Sequence, residues 1–140
     1  MTAMRFVDTN ILLYSLEQEP VQSLKAAIAT EILAGTDLAL SIQVLQEFYV
    51  QATHPRRPDA LPHEFAVRLI QKWMRFRIQE NTVAVLQDAF VIKGRYQTSS
   101  WDAAILAAAQ AAGCTEVLSE DLSHGQKYGV VTVVNPFLKA

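Results

Sequence analysis

The 140-residue sequence holds a single cysteine, Cys114, so no internal disulfide can form. A lone thiol fits a reducing cytosol and a cytoplasmic protein. No apolar run is long enough to span a bilayer, which sets a membrane partner aside. The opening residues, MTAMRFVDTN, lack the apolar core and cleavage site of a secretory signal. Charge is sparse at 19% while half of the residues are hydrophobic, a balance that excludes a disordered chain. Internal repeats and low-complexity linkers are absent. Glycine and proline are scarce, five of each, and three prolines gather in one stretch, HPRRPDALP. That stretch reads as a long connection inside one domain spanning residues 1–140, because neither flank is large enough to fold well alone.

The small net charge of −2 conceals an uneven distribution. Residues 1–50 carry −4, residues 51–100 carry +4 and residues 101–140 carry −2. A basic middle between acidic ends suits a chain that holds a polyanion near an acidic centre, although solvated helix faces give the same pattern.

Short apolar runs alternate with helical patterns. MRFV, DLALS, TEVLS and VVTVV read as buried strands, and TVAVL as a further short one. NILLYSLE, VQSLKAAIATEILAG closed by Gly35, IQVLQEFYVQAT, QDAFVIKGRY and WDAAILAAAQAAG read as helices. The last of these is expected to be capped by Ser99 or Ser100 and stopped by Gly113. HEFAVRLIQKWMRF has an apolar stripe at Phe65, Leu69, Trp73 and Phe76, with Arg68, Lys72 and Arg75 on another face. Alternation of this kind predicts an α/β fold with a mainly parallel central sheet between layers of helix.

In parallel sheets, functional groups collect beyond the carboxyl ends of the strands. Asp8 directly follows MRFV, Asp121 closely follows TEVLS, Glu47 lies in the helix after DLALS, and Asp102 opens the alanine-rich helix. The four can meet at one sheet edge. Three also have a plainer reading: Asp8 as a helix cap, Asp102 as a complement to a helix dipole, and Asp121 as a turn residue with Glu120 competing for its role, whereas Glu47, on a mostly apolar helix, sits at a rim or has a partner. His124, in SHGQ, reads most simply as a loop histidine. Carboxylates about 4 Å apart repel by roughly 4 kcal/mol at an effective dielectric near 20, so such a cluster needs a compensating proton, arginine or metal ion. Hard oxygen donors suit Mg2+ or Mn2+, whose open positions accept phosphate oxygens.

Four pieces of the chain, FVDTNILLY, SIQVLQEFY, SSWDAAILAAAQAAGC and VLSEDLSHGQ, together resemble the PIN-domain nucleases, and within them the VapC-type toxins of toxin–antitoxin pairs. The resemblance implies a three-layer α/β/α sandwich and an Mg2+- or Mn2+-dependent endoribonuclease. It carries the family's acidic site onto Asp8, Glu47, Asp102 and Asp121, with Asn10 and Ser41 as supporting polar residues. It implies a homodimer, a small antitoxin protein that sets a side chain into the acidic site, and an RNA substrate. Contacts to the RNA backbone are expected from the basic middle, at Arg56, Arg57, Arg68, Lys72 and Arg75, and substrate choice is expected to reside in residues 55–80, which carry no family motif. Three other functions compete: an aspartyl-phosphate phosphatase, disfavoured because Asn10 stands where a second aspartate is needed; a non-catalytic PIN-like binding module; and a PIN nuclease acting outside any toxin system.

Overall fold

The computed structural model describes residues 4–17 and 23–138. Val21 and Gln22, expected to open a helix, lie outside them. Six strands form one sheet in the order β3-β2-β1-β4-β6-β5. Their spans are β1 Met4–Val7, β2 Leu38–Ser41, β3 Arg77–Gln79, β4 Cys114–Leu118, β5 Lys127–Tyr128 and β6 Val131–Val134. Every pairing is parallel except that of β5 with β6. The helices are α1 Thr9–Tyr14, α2 Ser23–Leu33, α3 Ile42–Ala52, α4 His63–Trp73, α5 Val83–Tyr96 and α6 Ser100–Ala111.

The chain runs outward from β1 through β2 to β3 and then returns to the other side of β1 at β4. Parallel crossovers are right-handed, so the outward and return journeys place their helices on opposite faces. Contacts follow that division: α1 packs on α2 and α3, α3 on α4, and α5 on α6, while α6 also lies across β2, β3, β4 and β6. The result is the expected α/β/α sandwich. Direction reverses between β1 and β4, and a crevice opens at their carboxyl ends.

Between the layers lies one continuous core. Phe6, Val7, Leu38, Leu40, Val117 and Val133 come from the sheet, Val44 and Phe48 from α3, and Ile105, Leu106 and Ala109 from α6. Burying each large side chain stabilises the fold by roughly 1.5–3 kcal/mol. Phe48 meets Trp73 edge to face, ring centroids 4.7 Å apart, which ties α3 to α4. Alanines at 103, 107, 108 and 109 let α6 approach the sheet closely.

Local chemistry sets the helix ends. Ser99 accepts the Asp102 N–H and caps α6, and Gly113, at φ +80°, ends it in the left-handed conformation. Gly35 lies beyond the last turn of α2 with φ outside that region; a Cβ there would sit 3.1 Å from Asp37 Oδ1 and 3.2 Å from the Ile32 carbonyl. Close approach, not a left-handed turn, makes glycine the fitting residue.

The structure departs from expectation in four places. TVAVL is not a strand but the opening of α5: Thr82 caps it by accepting the Val85 N–H, and Val85, Ala89 and Ile92 are buried at helical spacing. The apolar stripe of α4 is rotated from the expected one. Phe65 is exposed, Ala66 and Trp73 are buried, and Phe76 is buried beyond the helix end, next to β3. Strands β3 and β5 were unforeseen, because three residues after a helical pattern and two residues before the Gly129–Val130 turn are too short to show a period.

Candidate active site

Val7 and Leu118 pair at the ends of β1 and β4, so the next residues, Asp8 and Ser119, emerge side by side. The Asp8 N–H still donates to the Leu118 carbonyl at 3.0 Å, and the Ser119 N–H to that of Val134 at 3.1 Å. Asp8 is 8% exposed and Ser119 is fully buried. One Asp8 oxygen accepts the Thr9 N–H (2.7 Å) and the other accepts the Ser119 hydroxyl (2.8 Å). Asp8 thus caps α1 as the plainer reading held, while its second oxygen is taken up elsewhere.

Asn10 ties this pair to the β4 loop. Its amide NH2 donates to Asp121 Oδ2 at 3.1 Å and lies 3.4 Å from Ser119 Oγ and 3.5 Å from Asp8 Oδ2. Its carbonyl oxygen accepts the Glu120 N–H at 3.3 Å. Ser119 Oγ also accepts the Asp121 N–H at 3.1 Å. From α3, Glu47 is held by two neutral donors, the Thr9 hydroxyl and the Gln43 amide, each at 3.1 Å.

Burial drives the Asp8 carboxyl up from its ordinary 3.8 to about 6, opposed by the bonds from Ser119 and Thr9 and reinforced by the negative charges of Asp121 and Glu47. Among the described residues, the ion pairs are Arg5–Asp37, Lys25–Glu120 and Arg57–Glu17, and none involves Asp8, Glu47, Asp102 or Asp121. Protein cations therefore leave the acidic charge uncompensated.

Asp102 stands outside this hydrogen-bond network. It is half-buried in the first turn of α6, where its N–H bonds the capping Ser99, and its charge helps raise the Tyr128 hydroxyl, on which burial acts more strongly. Its neighbour Trp101 lines a cleft shared with Glu47, which sets the start of α6 at the same rim. Among the described residues, no three Asp, Glu, His or Cys side chains are gathered closely enough to hold one metal ion between them. Mg2+ does not require that, since one or two carboxylates with water and substrate phosphate suffice. An all-oxygen donor set with uncompensated charge fits such an ion.

The remaining expected residues separate. Ser41 is buried and caps α3, accepting the Val44 N–H at 3.2 Å. Arg57 is engaged with Glu17 at 3.0 Å, and Arg75 donates to the Leu33 and Lys72 carbonyls. Arg56, Arg68 and Lys72 are exposed. His124 takes the Asn135 N–H at Nδ1, 3.0 Å, joining its loop to the residue after β6. Sequence reasoning missed Thr9, Gln43 and Ser119. Ser119 carried a readable signal, a small polar residue directly after an apolar strand, as Asp8 is. It also missed the group behind the loop, where Glu120 accepts from both Tyr14 and Lys25.

A mainly parallel α/β sheet with acids at the carboxyl ends of neighbouring strands defines a class of acidic-site domains. The PIN domain model matches residues 5–129, and the chain belongs to that family. A sequence search of the curated proteins finds no match. Among solved structures, a toxin–antitoxin complex from Klebsiella pneumoniae superposes with a TM-score of 0.70 at 20% identity, covering 97% of this chain and 98% of that one. FitAcB from Neisseria gonorrhoeae gives 0.67 at 20% identity over 96% and 99%. VapC20 of Mycobacterium tuberculosis, described as a sarcin-ricin loop cleaving toxin, gives 0.64 at 20% identity over 84% and 89%. These likenesses confirm the PIN fold. Among the described residues, no helix is long and apolar enough to cross a membrane.

Proposed function

We propose that the protein is an Mg2+- or Mn2+-dependent endoribonuclease and the toxin of a toxin–antitoxin pair. The observation that carries this reading is the buried Asp8 carboxylate at the end of the central strand, uncompensated by any described cation and sharing one amide with Asp121. Asp8, Glu47 and Asp121 are the proposed ligands, with Asp102 as the fourth acid at the rim. A bound divalent cation would neutralise their charge, lower the pKa of water and stabilise charge building on a phosphodiester. The chain's own residues prepare that chemistry. Ser119 and the Thr9 N–H fix both Asp8 oxygens, Thr9 and Gln43 fix those of Glu47, and Asn10 holds Asp121 toward Asp8. None of these donors carries a charge, so the carboxylates keep theirs for the cation.

Partners follow from the same reading. The similar solved structures include toxin–antitoxin complexes, which supports a small antitoxin protein as inhibitor. A guanidinium inserted by that partner would satisfy the acids as a cation does. Exposed Arg56, Arg68 and Lys72 are the remaining candidates for RNA phosphate contacts. A homodimer is supported by Val83, Leu86, Phe90 and Val91, all more than half exposed on α5. A non-catalytic module would have no use for four retained acids.

Calorimetric titration of Mn2+ into the purified protein, alongside RNA cleavage, tests the reading. Wild type binds Mn2+ and cuts RNA, while Asp8→Asn does neither and stays folded. RNA cleavage undiminished in Asp8→Asn, or unaffected by chelator, would overturn it.

A further inference from the structure

We infer that the cleft walled by Trp101 and the outer face of α3 is a binding site for one unpaired nucleobase of the substrate strand. This rests on the nuclease reading and adds to it where the base beside the cut is held. The cleft has a volume of about 380 Å3 and is lined by Gln43, Gln46, Glu47, Val50, Gln51 and Trp101. That volume lies within the range of small-ligand sites, roughly 300–1,000 Å3.

Connectivity locates the base. A phosphodiester held at the acids carries a base one sugar away, so a recess that holds this base has to border an acid. The cleft beside α2 and β6 and the one beneath α4 contain none of the four proposed ligands, whereas this one contains Glu47. Gln43 joins the two compartments, because its amide donates to Glu47 Oε1 while its side chain also lines the recess.

The lining chemistry matches a base rather than a phosphate. Trp101 is 70% exposed, although the other tryptophan, Trp73, is 4% exposed in the core. An indole face open to solvent stacks on any base. Beside it stand three glutamine amides, each with donors and an acceptor and none with charge, which is what the edge of an unpaired base requires. Among the described residues the Gln46 and Gln51 side chains make no hydrogen bond of their own, so their amides are available to a ligand. Among the described residues no lysine or arginine lines the recess, so the phosphate finds no counter-charge from them there and belongs with the cation at the acidic centre.

Two measurements on the full chain test this. First, a short single-stranded RNA is titrated against the wild-type protein in Mg2+, with tryptophan fluorescence read before cleavage proceeds. The RNA quenches the exposed indole, Trp101→Phe abolishes the quench, and an oligomer with its bases removed leaves it unquenched. Second, cleavage in Mn2+ is compared for Trp101→Tyr and Trp101→Leu. Tyrosine retains a stacking ring and stays near wild type, whereas leucine keeps only apolar bulk and raises KM by between about fivefold and about 150-fold, with kcat moving less. Gln46→Ala and Gln51→Ala shift which nucleotide is preferred at the cut. Equal KM for Tyr and Leu, or quenching by the base-free oligomer, overturns the inference. So does a dimer that falls apart in Trp101→Leu with KM restored at high protein concentration, which would assign Trp101 to an interface between two copies. Base-dependent quenching without any cleavage would instead sink the nuclease reading and leave the base site standing.

Discussion

Replacing Asp8 with asparagine is expected to stabilise the fold in the absence of divalent cations, and only on one side of a pH threshold. The carboxyl is raised from 3.8 to about 6, chiefly by burial. A raised acid means that the folded state prefers the proton. Well below 3.8 Asp8 is protonated in both folded and unfolded chains and costs nothing. As pH climbs through the interval from 3.8 to about 6, stability is lost, and above it the full penalty of ~3 kcal/mol applies. Asparagine avoids that penalty but accepts fewer bonds: the Thr9 N–H keeps its oxygen, while the Ser119 hydroxyl and the Asn10 amide both face an NH2. Losing that acceptor costs about 1 kcal/mol. The net gain is about 2 kcal/mol at pH 8, or roughly 6 °C in Tm for a chain of this size, shrinking to zero or below at pH 4. Thermal unfolding in chelator at the two pH values, wild type against variant, measures it. A variant no more stable at pH 8 than at pH 4 would show that the Asp8 charge is compensated in the folded protein.

Mn2+ should raise the Tm of wild type and leave Asp8→Asn unmoved, because only the carboxylate set binds the ion; an equal rise in both proteins would refute the assignment. Ser119→Ala removes the donor to Asp8 and the acceptor for the Asp121 N–H, and is expected to cost about 1–3 kcal/mol in urea unfolding; a neutral result would mean that water replaces the hydroxyl. Lys25→Met should cost under about 1 kcal/mol, since its pair with Glu120 is a quarter to a third exposed. The Cys114 thiol is buried and pushed up to about 11, so an aromatic disulfide reagent at pH 8 should label it no faster than the protein opens.

What the sequence made legible was whatever is written locally. Asp8 could be placed because the apolar run before it ends abruptly, and α6 because a serine cap and a glycine stop bracket an alanine-rich pattern. The parallel order followed from alternation. What escaped lies in contacts between distant segments. Ser119 meets Asp8 across 111 residues and Lys25 meets Glu120 across 95, and neither spacing leaves a local trace. The face of α4 escaped for another reason. Phe65 fits the apolar period, but the helix turns Ala66 and Trp73 inward, so hydrophobic character alone misjudged the facing. Val83 and its neighbours looked like a strand because branched residues favour one, until Thr82 capped them as helix. The two arginines set aside as substrate contacts are engaged by Glu17 and by backbone carbonyls, partners that a charge count cannot see.

The pairing of β1 with β4 has a consequence for synthesis. The second residue group of the centre is added long after the first, because Ser119 follows Asp8 by 111 residues. Until then the β1 edge facing β4 has no neighbour. A growing chain therefore carries Asp8 without the Ser119 hydroxyl that fixes one of its oxygens, and a product that stops short of Ser119 never acquires it.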